Sequence, residues 1–134
     1  MKKEREEWLA PVFNDEGMTQ WGWRVLHREN FKLGNRVEIG SFTAIDARNG
    51  VTIEDEVKIG FGCTILSHSS IDGKDGPVVL KSRCKIGAGT VIMPGVEVGE
   101  GAVVGANSFV NRNIPAHEVW FGSPARYHRK LARQ

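Results

Sequence analysis

The fold is decided by residues 80–110, which read LKSRCKIGAGTVIMPGVEVGEGAVVGANSFV. An aliphatic residue stands at every sixth position of this stretch without a change of phase: Leu80, Ile86, Ile92, Val98, Val104 and Val110. The same spacing recurs upstream in two shorter runs, 33–45 and 53–71. A short, fixed period of this kind indicates a solenoid whose repeats stack on one another.

The other positions of the hexad agree with this interpretation. Four residues after each aliphatic residue comes a small or β-branched one, as at Val57, Thr90 and Ala102. Between them lies turn chemistry such as Pro94-Gly95, in which Gly takes the left-handed position of a type II turn. Each hexad is therefore predicted to be a short strand and a tight corner. Three hexads make one triangular coil, and about four coils stack at the ~4.8 Å spacing of paired strands.

The hexad phase also assigns residues to the walls of this prism. Two insertions interrupt the phase, one after Ile45 and one after Ile71. If the order of the three walls continues unchanged across both insertions, Ile71 occupies a wall position. Cys63 and Cys84 are then predicted to stack on adjacent coils of one face. We predict that these two are packed core thiols, because a free cysteine behaves as a small buried hydrophobe. A nucleophile or a disulfide is the alternative.

The 134 residues fit a single domain. We expect an N-terminal capping segment at 1–30, a β-helix at 31–115, and a C-terminal loop with a basic helix at 116–134. Three tryptophans of the first segment (Trp8, Trp21, Trp23) are expected to cover an open end of the prism. Ser123-Pro124 is typical of the N-cap and first position of a helix, which favours a short C-terminal helix.

Composition limits the partners. The net charge is only +2, so no general positive field favours nucleic acid. No apolar run approaches the ~20 residues of a membrane span, and no secretory signal begins the chain, so a cytoplasmic location is expected. Two cysteines are too few for a disulfide scaffold, and no motif indicates zinc. The last 24 residues are nevertheless basic, with one acid, Glu118, against Arg112, Arg126, Arg129, Lys130 and Arg133.

The hexads, together with VGANSFVNRNIP at 104–115 and GSPAR at 122–126, resemble the hexapeptide-repeat acyltransferases. The nearest group by these motifs is that of the galactoside and maltose acetyltransferases and the surface-sugar acetyltransferases. The resemblance covers roughly residues 31–130. It implies a left-handed β-helix and a homotrimer with coenzyme A in grooves between subunits. Acetyl-CoA would be a co-substrate, with no permanent cofactor or metal, and a hydroxyl or amine of a sugar or sugar nucleotide would be the acceptor.

Acyl transfer to such an acceptor needs a general base, and histidine is the usual one near neutral pH. Among the four histidines, His68 lies in the coil before an interruption of the hexads, which is the position of the catalytic histidine in the family that the chain resembles. The hexad phase puts it in a corner slot that favours left-handed backbone. His27 is the second candidate. The resemblance gives Asp46 an acceptor-binding role, and orientation of the imidazole is the alternative.

The resemblance also implies a coenzyme A site. Ala88 and Ala106 match positions beside the pantetheine chain, and Asn111-Arg112 matches a Thr-Lys pair. Arg126 and Arg129 match two basic residues that contact coenzyme A, and guanidinium groups suit phosphate oxygens. Lys85 and Asn111 depart from the family's Trp and Thr, which leaves the adenine and pantetheine contacts open.

Two other functions stay open at this stage. A γ-type carbonic anhydrase on the same fold needs three histidines on one zinc, and the four histidines here are widely spaced. A β-helix that only binds or assembles with a partner needs neither His68 nor the GSPAR motif.

Overall fold

The computed structural model describes residues 7–132 and is a parallel β-helix of short strands. One 3-10 turn, Arg28–Asn30, lies between the first two strands. The strands, in chain order, are β1 (Arg24–Leu26), β2 (Phe31–Leu33), β3 (Glu38–Ile39), β4 (Ala44–Asp46), β5 (Val51–Ile53), β6 (Lys58–Ile59), β7 (Thr64–Leu66), β8 (His68–Ser69), β9 (Lys74–Asp75), β10 (Val78–Leu80), β11 (Lys85–Ile86), β12 (Val91–Ile92), β13 (Glu97–Val98), β14 (Val103–Val104), β15 (Phe109–Val110), β16 (Glu118–Gly122) and β17 (Ala125–Lys130).

Three walls form the prism, and the strands within each wall pair in parallel register. Wall 1 contains β1, β4, β7, β12 and β15, and wall 2 contains β2, β5, β10 and β13. Wall 3 contains β3, β6, β11, β14 and β16 in parallel, and β17 pairs antiparallel with β16 at its end. The aliphatic residue of each hexad points inward and is almost fully buried, as at Ile45, Ile65 and Ile92 of wall 1. Burial of this column supplies the main force that holds the coils together.

The walls differ from the phase prediction at one point. Ile71 is 96% exposed and belongs to no wall, and Leu80 pairs with Ile53 on wall 2. The reason is that the second insertion begins after Ser67, so residues 67–77 together replace one corner. The prediction that Cys63 and Cys84 stack on one face is therefore wrong. Cys63 leads into wall 1 and Cys84 into wall 3, both fully buried.

The β-helix is also longer than predicted. Five parallel strands stack on walls 1 and 3, so there are about five coils rather than four, and the first begins at Arg24 inside the expected capping segment. The hexad spacing did not predict this coil, because Val25 stands eight residues before Leu33 rather than six. The 3-10 turn Arg28–Asn30 accommodates the two extra residues. At the other end, Trp120 is paired with Val104 and continues an aliphatic column.

The aromatic residues of the N-terminal segment cover the lower end of the prism, as expected for two of the tryptophans. Trp23 is buried and contacts the ring of Phe13 edge-on at a centroid distance of 5.7 Å. The indole N–H of Trp8 donates to the Val37 carbonyl at 2.9 Å, immediately before the first strand of wall 3. Trp21 is 40% exposed. Residues 1–6 lie outside the described part of the chain.

The predicted C-terminal helix is wrong: residues 118–130 form an antiparallel hairpin. Its turn is Gly122-Ser123-Pro124-Ala125, with a cis peptide bond at Ser123-Pro124. The flanking residues Val119-Trp120-Phe121 are β-branched and aromatic, which fit strands. The unpaired backbone of wall 3 offers them a ladder of hydrogen bonds, and this tertiary partner outweighs the local helix signal.

The corners between walls form three edges. We name the edge from wall 1 to wall 2 the His68 edge (27–30, 46–50, 67–77, 93–95, 111–113) and the edge from wall 3 to wall 1 the Ala88 edge (40–42, 60–62, 87–89, 105–107). The third, the Arg83 edge, joins wall 2 to wall 3 (34–36, 54–56, 81–83, 99–101, 115–117). Within residues 7–132, no helix has the length and apolar character needed to span a bilayer.

Candidate active site

The two insertions in the hexad pattern meet on the His68 edge. They occupy adjacent coils, because β4 pairs with β7 and Asp46 stands opposite Leu66. Ser67 links them: its backbone N–H and its hydroxyl both donate to the Asp46 carbonyl, at 3.0 and 2.7 Å. The Asn49 backbone N–H donates to the same hydroxyl at 2.9 Å. Ser67 is fully buried, so these bonds fix the shape of the edge.

The second insertion forms a small hairpin that carries His68. Strands β8 and β9 pair antiparallel, with His68 opposite Asp75 and Ser69 opposite Lys74. The His68 Nδ1–H donates to Asp75 Oδ1 at 2.5 Å. The Asn49 side-chain amide donates to the same Asp75 oxygen at 2.8 Å and to the Ser67 carbonyl at 3.0 Å. An Asn–Asp–His chain of hydrogen bonds therefore joins the two insertions.

The charge of Asp75 follows from this chain. The hydrogen bond from His68 holds the pKa of the Asp75 carboxyl below its usual value, against a smaller opposing effect of desolvation. The hydrogen bond from Asn49 and the positive charge of Arg48 lower the pKa of Asp75 further. Asp75 is therefore a carboxylate at neutral pH, and a carboxylate can only accept hydrogen bonds.

This arrangement selects one tautomer of the imidazole. Since Asp75 can only accept, the proton of neutral His68 lies on Nδ1, and Nε2 keeps its lone pair. The His68 side chain is 23% exposed, so it is packed against the edge but remains accessible. An imidazole held in this way can remove a proton through Nε2 from a group that binds beside it.

Asp46 lies on the same edge one coil below, as predicted. Its carboxylate accepts from the Arg48 backbone N–H at 3.1 Å and so closes the first insertion. The carboxylate that is hydrogen-bonded to the His68 ring is that of Asp75. The expected left-handed backbone of His68 is also wrong, because the insertion converts this corner into strand β8.

Asp75 and Asn49 were missed in the sequence because each lies inside an insertion, where the hexad phase assigns nothing. A signal was present: Asp72-Gly73 is typical of a hairpin loop. In the structure the loop spans residues 70–73 and places Ser69 opposite Lys74 and His68 opposite Asp75.

The other histidines lie apart from this chain of bonds. His27 is on the same edge two coils below, at φ 61° and with Nδ1 3.6 Å from the Glu29 carboxylate. His117 is in the Arg83 edge at φ 59°, and the His128 ring lies tilted against the Phe121 ring in the terminal hairpin, with the ring centroids 4.9 Å apart. Within residues 7–132, no three His, Cys, Asp or Glu side chains are grouped to hold a metal ion.

The residues expected to bind coenzyme A lie in three places. Ala88 and Ala106 are exposed on adjacent coils of the Ala88 edge, where the Asn107 N–H donates to the Ala88 carbonyl at 2.8 Å. Arg126 is exposed beside the hairpin turn above this edge, opposite Phe121, and Arg129 lies further along β17. Arg133 is outside the described residues.

Asn111 and Arg112 are exposed at the top of the His68 edge. Wall 1 separates this edge from the Ala88 edge, so one chain does not bring the two groups of residues together.

The Ala88 edge is smooth for a steric reason. A Cβ at Gly87 would lie 2.5 Å from the Ala106 nitrogen, and one at Gly60 would lie 2.7 Å from the Ala88 nitrogen. Glycine is therefore required wherever one corner approaches the next coil. Beneath the surface, the Thr43 and Thr90 hydroxyls donate to corner carbonyls at 3.0 and 3.2 Å. The result is a rigid strip of backbone that carries only small side chains at Ala88 and Ala106.

Comparison with known proteins agrees with this architecture. The family model of the bacterial transferase hexapeptide (six repeats) matches residues 77–112. The Schizosaccharomyces pombe protein named "Putative acetyltransferase C18B11.09c" is 38% identical over 148 aligned positions, which cover 98% of this chain and 70% of that protein. A serine acetyltransferase of Buchnera aphidicola is 34% identical over 99 residues, 74% of this chain. The chain spans only 38% of the length of that serine acetyltransferase.

Solved structures give the same result. The hexapeptide-repeat acetyltransferase VCA0836 of Vibrio cholerae, in complex with acetyl coenzyme A, superposes with a TM-score of 0.75 at 26% identity, over 83% of this chain and 66% of that one. A maltose O-acetyltransferase of Clostridium difficile gives a TM-score of 0.77 at 25% identity, over 84% and 65%. The predicted left-handed parallel β-helix is thus confirmed as the fold, and the chain belongs to the hexapeptide-repeat acetyltransferase family.

Proposed function

We propose that this protein is an acetyltransferase that moves an acetyl group from acetyl-CoA to a hydroxyl or amine of a sugar or sugar nucleotide. The observation that carries the proposal is the Asn49–Asp75–His68 chain of hydrogen bonds, which holds an accessible imidazole with Nε2 free to accept a proton. The acetyl coenzyme A complex of the Vibrio cholerae relative supports the donor, and the maltose O-acetyltransferase supports a sugar acceptor.

The proposed reaction is direct transfer. His68 Nε2 takes the proton of the acceptor, whose oxygen or nitrogen forms a bond to the thioester carbonyl carbon. Backbone N–H groups of a neighbouring coil stabilise the oxyanion. The C–S bond then breaks, and the coenzyme A sulfur takes the proton from the imidazolium. Cys63 and Cys84 are unsuited to a covalent route, because burial raises the pKa of both thiols.

The complete site requires a second copy of the chain. Wall 1 separates the His68 edge from the Ala88 edge by on the order of 15–20 Å, so the base and the proposed donor strip of one chain cannot meet. Rotation about an axis parallel to the long axis of the β-helix keeps each residue at its height. A neighbouring copy can therefore bring its His68 edge to this chain's Ala88 edge, and a homotrimer closes such an arrangement.

The outer face of wall 1 supports this assembly. Its outward positions are mostly apolar and include Leu26, Leu66, Val91 and Phe109, whereas the outer face of wall 3 carries Glu38, Lys58 and Lys85. An apolar face of this kind favours contact between protein surfaces.

The proposed donor site extends along the Ala88 edge. The pantetheine arm lies on the strip of Ala88 and Ala106, and Arg126 and Arg129 above it bind the phosphates as charge-assisted pairs. Asn111 and Arg112 of the neighbouring copy add to the same groove. Asp46, one coil below His68, binds a hydroxyl of the acceptor.

The test is an acetyl-CoA turnover assay with a panel of sugars and sugar nucleotides as acceptors. The release of free coenzyme A thiol measures the rate. His68→Ala is expected to reduce the rate about 100-fold to 10,000-fold, the usual contribution of a general base. His117→Asn, a matched change on the Arg83 edge, is expected to leave the rate unchanged. A near-normal rate in His68→Ala would reject His68 as the base and direct attention to His27. Failure of coenzyme A to raise the melting temperature would favour a non-catalytic module.

A further inference from the structure

The Ala88 edge changes character at one coil. The middle residues of its corners form a column, since the Gly89 N–H donates to the Phe61 carbonyl and the Asn107 N–H to the Ala88 carbonyl, both at 2.8 Å. In the upper two coils the middle residue is alanine. In the coil below it is Phe61, a residue that is 64% exposed although its side chain is large and apolar. Glycines on both sides leave this ring without side-chain neighbours in the corner.

The height of Phe61 matches that of the proposed base. Phe61 precedes β7 and His68 follows it, so both lie on the same coil. Three coil steps separate Phe61 from the hairpin turn beside Arg126, where the Cβ of Phe121 stands over Gly105. These steps amount to about 14 Å, a distance that a pantetheine arm can span without being fully extended. A donor with its phosphates at Arg126 therefore has its thioester at the level of Phe61.

We propose that Phe61 closes the lower end of the donor strip and restricts the acyl group to one of acetyl size. The inference rests on the proposed function. Alanines at 88 and 106 leave room for a linear chain, and the ring of Phe61 occupies the space that further methylenes of the acyl group would need. A longer acyl chain must displace this ring or bend away from the partner's His68, and a forced fit of this kind is costly.

Binding of a series of thioesters tests this inference without knowledge of the acceptor. Coenzyme A, acetyl-CoA, butyryl-CoA and hexanoyl-CoA are titrated into the wild-type protein and into Phe61→Ala by calorimetry. The wild type is expected to bind hexanoyl-CoA at least about tenfold more weakly than acetyl-CoA, and Phe61→Ala is expected to remove most of this difference. Phe42→Ala, an exposed phenylalanine one coil lower on the same edge, serves as the matched control and is expected to keep the wild-type order.

The outcomes separate the two proposals. If no thioester and no free coenzyme A binds, the proposed function fails. If all four bind the wild type equally, or if Phe61→Ala leaves the order unchanged, the acyl limit fails while the proposed function stands. The oligomeric state is measured for each variant. Loss of assembly in Phe61→Ala with an unchanged order of affinities would make Phe61 an interface residue and overturn the inference.

Discussion

The His68 edge and the Ala88 edge flank the same wall and are built from the same repeat, yet they differ in almost every respect. The Ala88 edge keeps the hexad in every coil; its upper two coils present backbone, glycine and alanine, and its lower two present the exposed rings of Phe61 and Phe42. The His68 edge breaks the hexad in two adjacent coils and presents hydrogen-bonded polar groups. The regular edge offers a surface of fixed shape, whereas the interrupted edge holds the groups capable of proton transfer.

The comparison shows how insertions produce chemistry in a solenoid. The extra residues at Asn49 and at 67–77 are well separated in the chain, but stacking brings them to the same edge on neighbouring coils. Hydrogen bonds join the two insertions in both directions: the Asn49 amide donates to Asp75, and the Ser67 hydroxyl donates to the Asp46 carbonyl. The coils on either side provide the rigid support that a positioned base requires.

Asp75→Asn is expected to have the largest effect on the proposed activity of the His68 edge. The amide of asparagine can donate to Nδ1, which would move the imidazole proton to Nε2 and remove the lone pair that accepts the substrate's proton. We expect turnover of acetyl-CoA to fall about 100-fold or more, with the melting temperature nearly unchanged because Asp75 is exposed. A small loss of rate would mean that Asp75 does not set the tautomer.

Gly87→Ala would test the regular edge through stability instead. The new Cβ would lie 2.5 Å from the Ala106 nitrogen, a backbone atom that cannot move without shifting the coil above. We expect a loss of about 2 kcal/mol in the free energy of unfolding, measured by urea denaturation. Gly62→Asn is the control, because the structure leaves open space there and asparagine already occupies this slot at Asn107 with φ 56°. Equal losses in both variants would contradict the steric account.

The two thiols should show the smallest effect. Burial raises the pKa of Cys63, and it raises that of Cys84 to about 12, with the charge of Glu54 acting in the same direction. Both groups therefore stay protonated at pH 8, and a thiol reacts only as the thiolate. We expect iodoacetamide to modify neither in the native protein and both in urea, as measured by mass spectrometry. Modification of the native protein at either position would show that the corner columns open.

The sequence was most informative where the repeat is unbroken. Columns such as Ile86, Val98 and Val104 could be predicted because a fixed period leaves one way to bury them. The contacts of Asp75 could not be predicted, since they depend on which coil contains the insertion and on what lies in the neighbouring coil. Trp120 and the segment after it were misjudged for a related reason. Their conformation depends on the open edge of wall 3, and local preferences at Ser123-Pro124 carry no information about that partner.

The terminal hairpin has a consequence for self-association. A parallel β-helix ends in unpaired strands that could accept the first coil of another molecule, and repeated end-to-end addition would give a fibre. Strand β17 reverses direction on wall 3, so the surface it presents there runs opposite to every strand that an incoming coil would offer. Its exposed positions carry Arg126, Arg129 and Lys130, which repel the same end of a second copy. The hairpin thus disfavours the addition of further parallel strands on wall 3, one of the three walls on which a fibre would have to grow.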